Sequence, residues 1–381
     1  MPQFRFNTIS RADIERSQGG NIMIQAIDYD GNDHQLVTGV PGSGKTTVTI
    51  MRAERLINSN KKILVLTFQN LLCVSLKNIA QSDVLRNSIF GLYDWYPARF
   101  GWLDVTHSAE YMIERMNNLP QFDEILIDEG QDFEARIYQA FLTKCRRMTV
   151  GADNAQRVHE RGILAPEIRL ELGHNRNIVP VSLQYNYRNT FEIYNFARHF
   201  MPDSERANNP ITLQLMPRGT GNMPVVIQAL SDEEKFNRLR VILENAGDVN
   251  IAILLYGQRE VDYHYQKITQ MGFSATKWYH GHQPNDIENI LVTTYKSAKG
   301  LEFQVVIMPD MHTAMDSEEK TAEHYYIGCT RAKESLFLTF TGINLPDYLE
   351  VFAEESYEFR PSENGRQRAI TQNIVVDDLP F

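Results

Sequence analysis

Two short stretches carry residue types that are suited to phosphate chemistry. "FDEILIDEGQDF" (122–133) is an apolar run that leads into the adjacent acids Asp128 and Glu129. "GVPGSGKTT" (39–47) fits the pattern G-x-x-x-x-G-K-[ST], follows a predicted strand and opens a predicted helix. Glycines at these spacings let backbone N–H groups surround phosphate oxygens, and the helix N-terminus adds partial positive charge. Together the two stretches indicate a nucleoside triphosphate site.

Each residue type then has an expected role in ATP hydrolysis. Lys45 would reach the β- and γ-phosphates, while Thr46 and Asp128 would hold Mg²⁺. Glu129 would orient and deprotonate the attacking water. A chance glycine-rich turn and a solvated acidic turn are the plain alternatives, but both stretches lie at the ends of predicted buried strands. The residues predicted to bind nucleotide in this loop are Gly39, Pro41, Gly42, Ser43, Gly44, Lys45, Thr46 and Thr47.

Short β-rich runs alternate with longer amphipathic runs along most of the chain, which predicts an α/β fold of two doubly wound domains. We expect a first domain over 1–180, a second over 181–345, and a helix with a flexible acidic tail over 346–381. The predicted buried strands are 34–39, 61–68, 123–128, 146–152, 223–230, 250–257, 289–295, 303–310 and 335–340.

The composition is that of a soluble globular protein. Of 381 residues, 43% are hydrophobic and 23% are charged, and no apolar run is long enough to span a bilayer. The start lacks a secretory signal, and the three cysteines form no CxxC pair, so we expect a cytoplasmic protein with reduced thiols. A net charge of −10 disfavours coating of duplex DNA but leaves room for a local basic groove.

Six ordered motifs resemble those of the UvrD/Rep-like superfamily 1 DNA helicases. The motifs are "LTFQN" (66–70), "DEGQD" (128–132), "ADNAQ" (152–156), "NYRNT" (186–190), "TTYKSAKGLEF" (293–303) and "YIGCTRAK" (326–333). The resemblance implies two RecA-like P-loop NTPase domains with parallel sheets and an ATP site in the cleft between them. It also implies an ATP- and Mg²⁺-dependent motor that acts on single-stranded DNA, with RNA left open.

The resemblance assigns roles to residues in both halves. Gln156 would be one of the catalytic residues, Arg188 would contact the γ-phosphate, and Arg331 would be the second arginine finger. Tyr187 would contact the adenine, and Gly300 and Glu302 would lie near the ribose. The nucleic-acid contacts that the resemblance implies are Phe68, Asn70 and, at a position where relatives carry Tyr, His159.

The nucleic-acid motifs depart from the family more than the ATP motifs do. "QRVHERG" lacks the Trp that relatives carry before Arg-Gly, and Lys296 replaces a family His. The distances in sequence from Phe68 to Asp128 and from Arg188 to Thr294 leave no room for large accessory domains. We therefore expect a bare two-domain motor with weak or partner-dependent unwinding. The aromatic segment "FGLYDWYPARFGW" (90–102) has two interpretations: it contacts the DNA strand, or it packs in the core around Trp95 and Trp102. Gln25 also has two interpretations: it contacts the adenine, or it is an ordinary helix residue.

The chain ends "NIVVDDLPF", which resembles the C-terminal tip of bacterial single-stranded-DNA-binding protein. The resemblance implies a docking peptide for a protein partner, in which a terminal carboxylate and an apolar side chain are captured together. An ordinary acidic tail that binds nothing is the alternative. The residues of the predicted docking peptide are Asp377, Asp378, Leu379, Pro380 and Phe381.

These observations favour a UvrD-like ATP-driven motor on single-stranded DNA, in DNA repair, recombination or phage defence. The alternative is a nucleic-acid-sensing ATPase switch within a multiprotein assembly that does not unwind. A scaffold that binds ATP without turnover is disfavoured because Glu129, Gln156, Arg188 and Arg331 are all present. A metal site at His280 and His282 is disfavoured because no third ligand is near in the sequence.

Overall fold

The computed structural model describes residues 2–6, 8–157, 159–174, 176–201, 203–208, 211–278, 281–311, 318–346, 349 and 354–363. Over these ranges the strands form two sheets whose neighbouring strands run parallel. The α/β class predicted from the sequence, with two RecA-like sheets, is therefore confirmed.

The first sheet holds six strands, and its core strands are rich in Val, Ile and Leu because helices cover both faces. The strands are β1 His34–Gly39, β2 Ile63–Thr67, β3 Ile89–Gly91, β4 Phe122–Asp128, β5 Cys145–Ala152 and β6 Ile178–Leu183. Their order is β3-β2-β4-β5-β1-β6, so β1 lies between β5 and β6 and β4 lies beside β5. This order places the carboxyl ends of β1, β4 and β5 close together at one edge.

The second sheet holds seven strands in the order β13-β7-β12-β11-β8-β10-β9. The strands are β7 Val225–Ala229, β8 Ile251–Leu255, β9 Thr276–Lys277, β10 Ile290–Thr294, β11 Phe303–Met308, β12 Ala332–Thr341 and β13 Glu358–Arg360. Because β13 pairs with β7, the sheet extends into the segment that the sequence predicts as helix and flexible tail. The first sheet likewise includes β6, which crosses the predicted boundary at residue 180.

Helices connect the strands and cover the sheets. They are α1 Arg11–Arg16, α2 Gly20–Asp28, α3 Lys45–Asn58, α4 Asn70–Ile79, α5 Asp83–Arg86, α6 Leu92–Trp95, α7 Pro97–Phe100, α8 Ala109–Arg115, α9 Ala135–Leu142, α10 Ala165–Gly173, α11 Phe191–Ala197, α12 Asp203–Asn208, α13 Asp232–Ala246, α14 Gln258–Gln270 and α15 Glu318–Cys329. Among the described residues, none of these helices combines the length and the apolar character needed to cross a membrane.

The N-terminal segment (residues 2–16) contacts both sheets. Its first part pairs with the second sheet, where the Phe4 N–H donates to the Ile287 carbonyl at 2.9 Å. The Phe4 ring also packs edge-on against Phe303, with centroids 5.5 Å apart. Its second part, α1, buries Ile14 in the apolar cluster that α2, α3 and β1 form in the first sheet. The segment therefore crosses from one sheet to the other.

Candidate functional site: an ATP cleft between two sheets

The phosphate-binding loop joins the end of β1 to the start of α3. Its glycines are required by geometry, because Gly42 and Gly44 have φ angles of +70° and +97°. A Cβ atom on Gly42 would also lie 2.5 Å from the Cβ of Arg188. Beneath the loop, the buried Ser43 hydroxyl has no hydrogen-bond partner within the part of the chain that the structure describes. A tight loop with an unsatisfied buried hydroxyl fits a phosphate group.

Lys45 begins α3 and is 8% exposed. Its ammonium donates to the carbonyls of Gly39 at 2.7 Å and Val40 at 3.0 Å. It also lies 3.4 Å from Oδ2 of Asp153, which follows β5. The ammonium therefore sits at the mouth of the loop, where a bound phosphate would compete with the two carbonyls.

Thr46 and Asp128, the predicted Mg²⁺ ligands, are brought together at the adjoining ends of α3 and β4. The Thr46 hydroxyl donates to Oδ2 of Asp128 at 2.8 Å. Burial and the neighbouring Glu129 carboxylate raise the pKa of Asp128 to about 7. A buried acid whose charge is disfavoured by its surroundings is suited to a divalent cation, because the cation restores favourable charge pairing. The pair therefore fits Mg²⁺ at this position.

Glu129 adopts a left-handed backbone conformation, with φ at +58°. A non-glycine residue in this region costs about 1–3 kcal/mol, and such outliers cluster at functional sites. The Gln131 amide donates to its carboxylate at 2.6 Å, and the Lys299 ammonium lies 3.4 Å away. Burial alone would raise the pKa of Glu129, but the charges of Lys299, Lys45 and Arg331 outweigh it and set the pKa at about 2. The carboxylate is therefore ionised and fixed in direction.

Gln156 connects the two sheets. Its amide nitrogen donates to Asp153 at 2.9 Å, and its amide oxygen accepts from Arg331 at 2.8 Å. Arg331 is 1% exposed and directly precedes β12 in the second sheet. Burial and the nearby Arg188 lower the pKa of Arg331 to about 9, which still leaves the guanidinium charged at pH 7. The predicted catalytic Gln156 and the predicted second arginine finger are thus in direct contact.

Arg188 contacts Glu302, and both residues are half-buried. The Arg188 Nε donates to Glu302 Oε2 at 3.2 Å, and Lys333 donates to the other carboxylate oxygen at 3.0 Å. These two cations outweigh burial and hold the pKa of Glu302 at about 2. Next to Arg188, the Tyr187 N–H donates to the Gly42 carbonyl at 2.9 Å. Residues 187 and 188, which follow β6 of the first sheet, therefore join the phosphate-binding loop to Glu302, which directly precedes β11 of the second sheet.

One cavity of about 560 Å³ collects most of the predicted nucleotide residues. That volume lies in the usual range for small-molecule sites. The predicted residues that line it are Pro41, Gly42, Ser43, Gly44, Lys45, Thr46, Thr47, Glu129, Gln156, Tyr187, Arg188, Gly300, Glu302 and Arg331. Gly39 and Asp128 do not line the cavity themselves but contact residues that do. The Gly39 carbonyl accepts a hydrogen bond from Lys45, and the Asp128 carboxylate accepts one from Thr46. Gln25 is exposed on α2 and does not line the cavity.

The predicted strand contacts Phe68 and His159 lie together on the first sheet. Their ring centroids are 4.9 Å apart, and Tyr93 packs edge-on against Phe68 at 5.4 Å. Burial lowers the pKa of His159 although the carboxylates of Glu134 and Asp132 oppose it, and the nearby cations Arg161 and Lys296 act in the same direction as burial. Asn70, the third predicted contact, begins α4 two residues after Phe68. The structure thus brings an aromatic cluster, a neutral imidazole and two exposed cations to one surface.

In the aromatic segment 90–102, one tryptophan packs in the core and the other lies at the surface. Trp95 is 2% exposed and packs in the core against Phe141, with centroids 5.3 Å apart. Trp102 is 75% exposed. Its loop lies beside the His159 region, because Arg161 donates to the Val105 carbonyl at 3.3 Å. Trp95 is therefore a core residue, whereas the Trp102 side chain is accessible to a ligand at the surface.

Two site residues have no role in the sequence-based prediction. Gln131 holds Glu129 and also accepts a hydrogen bond from the Asp153 N–H at 3.0 Å. Lys299 reaches Glu129 from the second sheet. Both lie inside the motifs quoted above, but only the folded arrangement shows what they touch. The predicted docking residues Asp377, Asp378, Leu379, Pro380 and Phe381, together with His280, lie outside the described residues.

Residues 24–159 match the family model of an AAA domain, and residues 289–339 match that of the UvrD-like helicase C-terminal domain. Over residues 289–339 the chain is therefore similar to UvrD-like helicases. The first match contains the phosphate-binding loop, Glu129 and Gln156, and the second contains Glu302 and Arg331. The helicase, ATP-binding and P-loop features expected from the sequence are thereby supported.

No curated protein matches the chain. Among the 616 chains of solved structures that match, one is the crystal structure of the C-terminal domain of a possible DNA helicase from Lactobacillus plantarum WCFS1. It is 20% identical to this chain, and the match covers 45% of this chain and 98% of that one with a TM-score of 0.36.

Proposed function

We propose that the protein is an ATP-dependent motor that moves along single-stranded DNA. The observation that carries this proposal is the contact of Gln156 with Arg331, because it makes the hydrolytic site depend on the distance between the two sheets. An arginine that enters from a second domain contributes roughly 10³–10⁵ in rate to phosphoryl transfer. Closure of the cleft would then promote hydrolysis, and opening would follow it.

In the proposed reaction ATP occupies the cavity with its phosphates in the loop and its base near Tyr187. Lys45, Arg188 and Arg331 would stabilise the charge that develops on the γ-phosphate. Glu129 is ionised and would orient the attacking water and accept its proton. Thr46 and Asp128 would hold Mg²⁺, which would neutralise negative charge on the phosphates.

The surface around Phe68 supports the choice of single-stranded DNA as ligand. Bases of a single strand stack on aromatic side chains, at about 1–3 kcal/mol per base, while cations contact the backbone. Phe68 is half-buried, Trp102 is exposed on a neighbouring loop, and the exposed Arg161 and Lys296 lie near His159. Duplex DNA offers no free base faces to such a surface.

The test is the steady-state ATPase rate with and without single-stranded DNA, duplex DNA or RNA, alongside a strand-displacement assay. We expect strong stimulation by single-stranded DNA. An ATPase that no nucleic acid stimulates would contradict the proposal. Stimulation without displacement or movement along the strand would instead favour the sensing switch, an alternative that gains no support from the family matches.

We also propose that residues 377–381 dock on a protein partner that recognises a peptide with an acidic pair followed by apolar residues. The sequence "DDLPF" is what supports this. A pull-down that compares the intact tail peptide with a peptide lacking Phe381 tests it. Retention of every partner by the shortened peptide would contradict the docking role.

A further inference from the structure

A second cavity, of about 620 Å³, is not used by the proposed reaction. Strands β1, β5 and β6 of the first sheet line it together with α10, and helices α11, α12 and α15 line it from the opposite side. Asp153 lines this cavity, whereas its partner Lys45 lines the ATP cavity. The ion pair of Asp153 and Lys45 therefore connects two cavities, each of a size that is usual for a small molecule.

Four side chains bring oxygen atoms to the second cavity: Asp153, Glu205, Tyr194 and Tyr326. Burial raises the pKa of Glu205, and the Asp153 carboxylate adds to the rise. Burial also raises the pKa of Tyr194 and of Tyr326, and the Asp153 charge again acts in the same direction. Because Asp153 influences the other three groups, all four lie close together. Both tyrosines keep their hydroxyl protons at neutral pH.

The two tyrosine hydroxyls are buried without compensation. Tyr194 is 3% exposed and Tyr326 is 1% exposed. Neither hydroxyl forms a hydrogen bond of normal geometry within the part of the chain that the structure describes. Buried polar groups are nearly always hydrogen-bonded in folded proteins, so a buried hydroxyl in this state indicates a partner from outside the chain.

Positive charge is scarce around these oxygen atoms. Lys45 approaches Asp153 from the ATP cavity, and Glu205 accepts a hydrogen bond from the neutral Asn154 side chain. Arg169 is the one cation among the described lining residues, and it is exposed on α10. Arg198 lies near the tyrosines, but it donates to the Arg206 carbonyl and does not line the cavity. The interior therefore favours a ligand that carries positive charge.

The remaining lining favours an organic ligand over a metal ion. No group of three or more His, Cys, Asp or Glu side chains that could hold a metal occurs among the described residues. Much of the wall is apolar, and its larger apolar side chains are Leu36, Val40, Leu183, Met201, Ile211 and Met216. Methylene groups pack on such side chains, while an ammonium donates up to three hydrogen bonds to oxygen acceptors.

We propose that the second cavity binds an organic cation with primary ammonium groups on an aliphatic chain, such as a diamine or a polyamine. One ammonium donates to the Glu205 carboxylate and to the two tyrosine hydroxyls. The aliphatic chain lies along Met201 and Met216. The exposed Arg169 repels the ammonium at the mouth, so the charged end of the ligand lies at the inner oxygen atoms.

The shared ion pair couples this ligand to ATP, and the coupling rests on the proposed function because it requires ATP in the first cavity. Oδ2 of Asp153 accepts from Gln156 and also contacts Lys45. An ammonium near Asp153 shares that negative charge, so Lys45 is held less tightly and is freer to contact a phosphate. Each ligand then raises the affinity for the other by the same factor, because such coupling is reciprocal.

Isothermal titration calorimetry of the full-length protein with the aliphatic diamine cadaverine tests the site without nucleotide or nucleic acid. We expect one molecule bound per chain at physiological salt, with a Kd of about 1 mM or below. Pentanediol, which has the same chain length and no charge, should not bind. Glu205→Gln should weaken cadaverine binding about tenfold or more, because it removes the charge from a charged hydrogen bond. Tyr194→Phe should weaken it by a smaller factor.

Asp203→Asn is the matched control, because Asp203 is exposed on the same helix as Glu205, pairs with Arg206 and does not line the cavity. It should bind cadaverine as the wild type does. If Glu205→Gln does not fold, Ser182→Lys replaces it, because Ser182 is an exposed lining residue of β6 and a lysine there would compete with the ligand. Wild-type affinity in the variant used, or equal binding of pentanediol, would overturn the inference.

The affinity of a fluorescent ATP analogue separates this inference from the proposed function. We expect saturating cadaverine to lower the Kd of the analogue about fivefold. A wild type that does not bind cadaverine would refute the site, whatever its ATPase rate. Cadaverine binding that leaves the Kd of the analogue unchanged would refute the coupling through Asp153. A wild type that binds cadaverine but not the analogue would support the site and refute the proposed function.

Discussion

A hydrogen bond of 2.8 Å joins the Arg331 guanidinium to the side-chain oxygen of Gln156. Arg331 precedes β12 in the second sheet, and Gln156 follows β5 in the first. Arg331 also donates to the Leu301 and Ile327 carbonyls, so its position is fixed within its own sheet. Gln156 in turn contacts Asp153, which faces Lys45. A change in the separation of the sheets would therefore displace residues that contact Lys45 of the phosphate-binding loop.

We expect Glu129→Gln to stop hydrolysis while ATP binding is retained. The amide has a similar shape but cannot accept a proton, and general-base catalysis typically contributes 10²–10⁴ in rate. Steady-state ATPase and binding of a fluorescent ATP analogue measure the two properties separately. Lys45→Ala is the comparison, since it removes a phosphate contact and should abolish turnover. Turnover near the wild-type rate in either variant would show that the site is assigned wrongly.

Arg331→Lys should lower kcat by about 10³ or more, with a smaller effect on the binding of ATP. Lysine retains a charge but lacks the planar fork of donors that reaches Gln156 and the neighbouring carbonyls together. Single-turnover hydrolysis under saturating ATP isolates this step. Arg218→Lys is a suitable control, because Arg218 is exposed, pairs with Glu334 at 3.7 Å and does not line the cavity. Normal ATP hydrolysis by the Arg331→Lys variant would show that the Arg331 guanidinium takes no part in the reaction.

Trp102→Ala should weaken binding of single-stranded DNA by about 1–3 kcal/mol, the usual value of one base–aromatic stack. The side chain is 75% exposed, so its removal should leave the fold and the basal ATPase rate intact. Fluorescence anisotropy of a labelled oligonucleotide measures the affinity. Leu170→Ala removes a similarly exposed apolar side chain, at 69%, from α10 and should have no effect. Equal affinities for both variants would place the strand elsewhere.

Arg52→Met should destabilise the first sheet by about 3–5 kcal/mol without a direct effect on the cleft. Arg52 and Glu124 are both 0% exposed and form a two-bond ion pair of 2.6 and 2.9 Å. Removal of the arginine leaves a buried carboxylate with fewer partners. Urea unfolding measures the loss. Arg55→Met, which breaks partly exposed pairs with Asp30 and Asp28, should cost no more than about 1 kcal/mol, and a similar cost for both variants would contradict the argument.

The site residues could be predicted from the sequence because their motifs lie at strand ends, and the sheet order brings those ends together. β1 and β4 were recognisable as apolar runs, so the positions of Lys45 and Asp128 followed from the loops after them. Gln156, Arg331 and Glu302 were placed by resemblance. Their adjacency comes from the pairing of Phe303 with Ala332, at the starts of two neighbouring strands, which no local pattern indicates.

Other features depend on tertiary contacts and were not predictable. β3, β9 and β13 are only two or three residues long, which is too short for a periodic signal. Trp95 and Trp102 lie in one aromatic segment, yet only the fold decides that one is buried and the other exposed. Lys299 is a lysine in a polar loop, and its burial results from acceptors on the other sheet. Sequence spacing carries no information about that contact.

The crossing of the N-terminal segment between the sheets sets a geometric limit on the proposed motor. Arg5 forms the last hydrogen bonds of this segment to the second-sheet side, with the Asn250 side chain, and Ser10 caps α1 on the first sheet. A fully extended chain spans at most about 3.3–3.6 Å per residue, so the five residue steps between Arg5 and Ser10 reach roughly 17 Å. The two anchor points cannot separate further unless Arg5 leaves Asn250. Each ATP cycle therefore has a maximum excursion at this edge of the cleft, and a larger domain rotation would have to pivot about it.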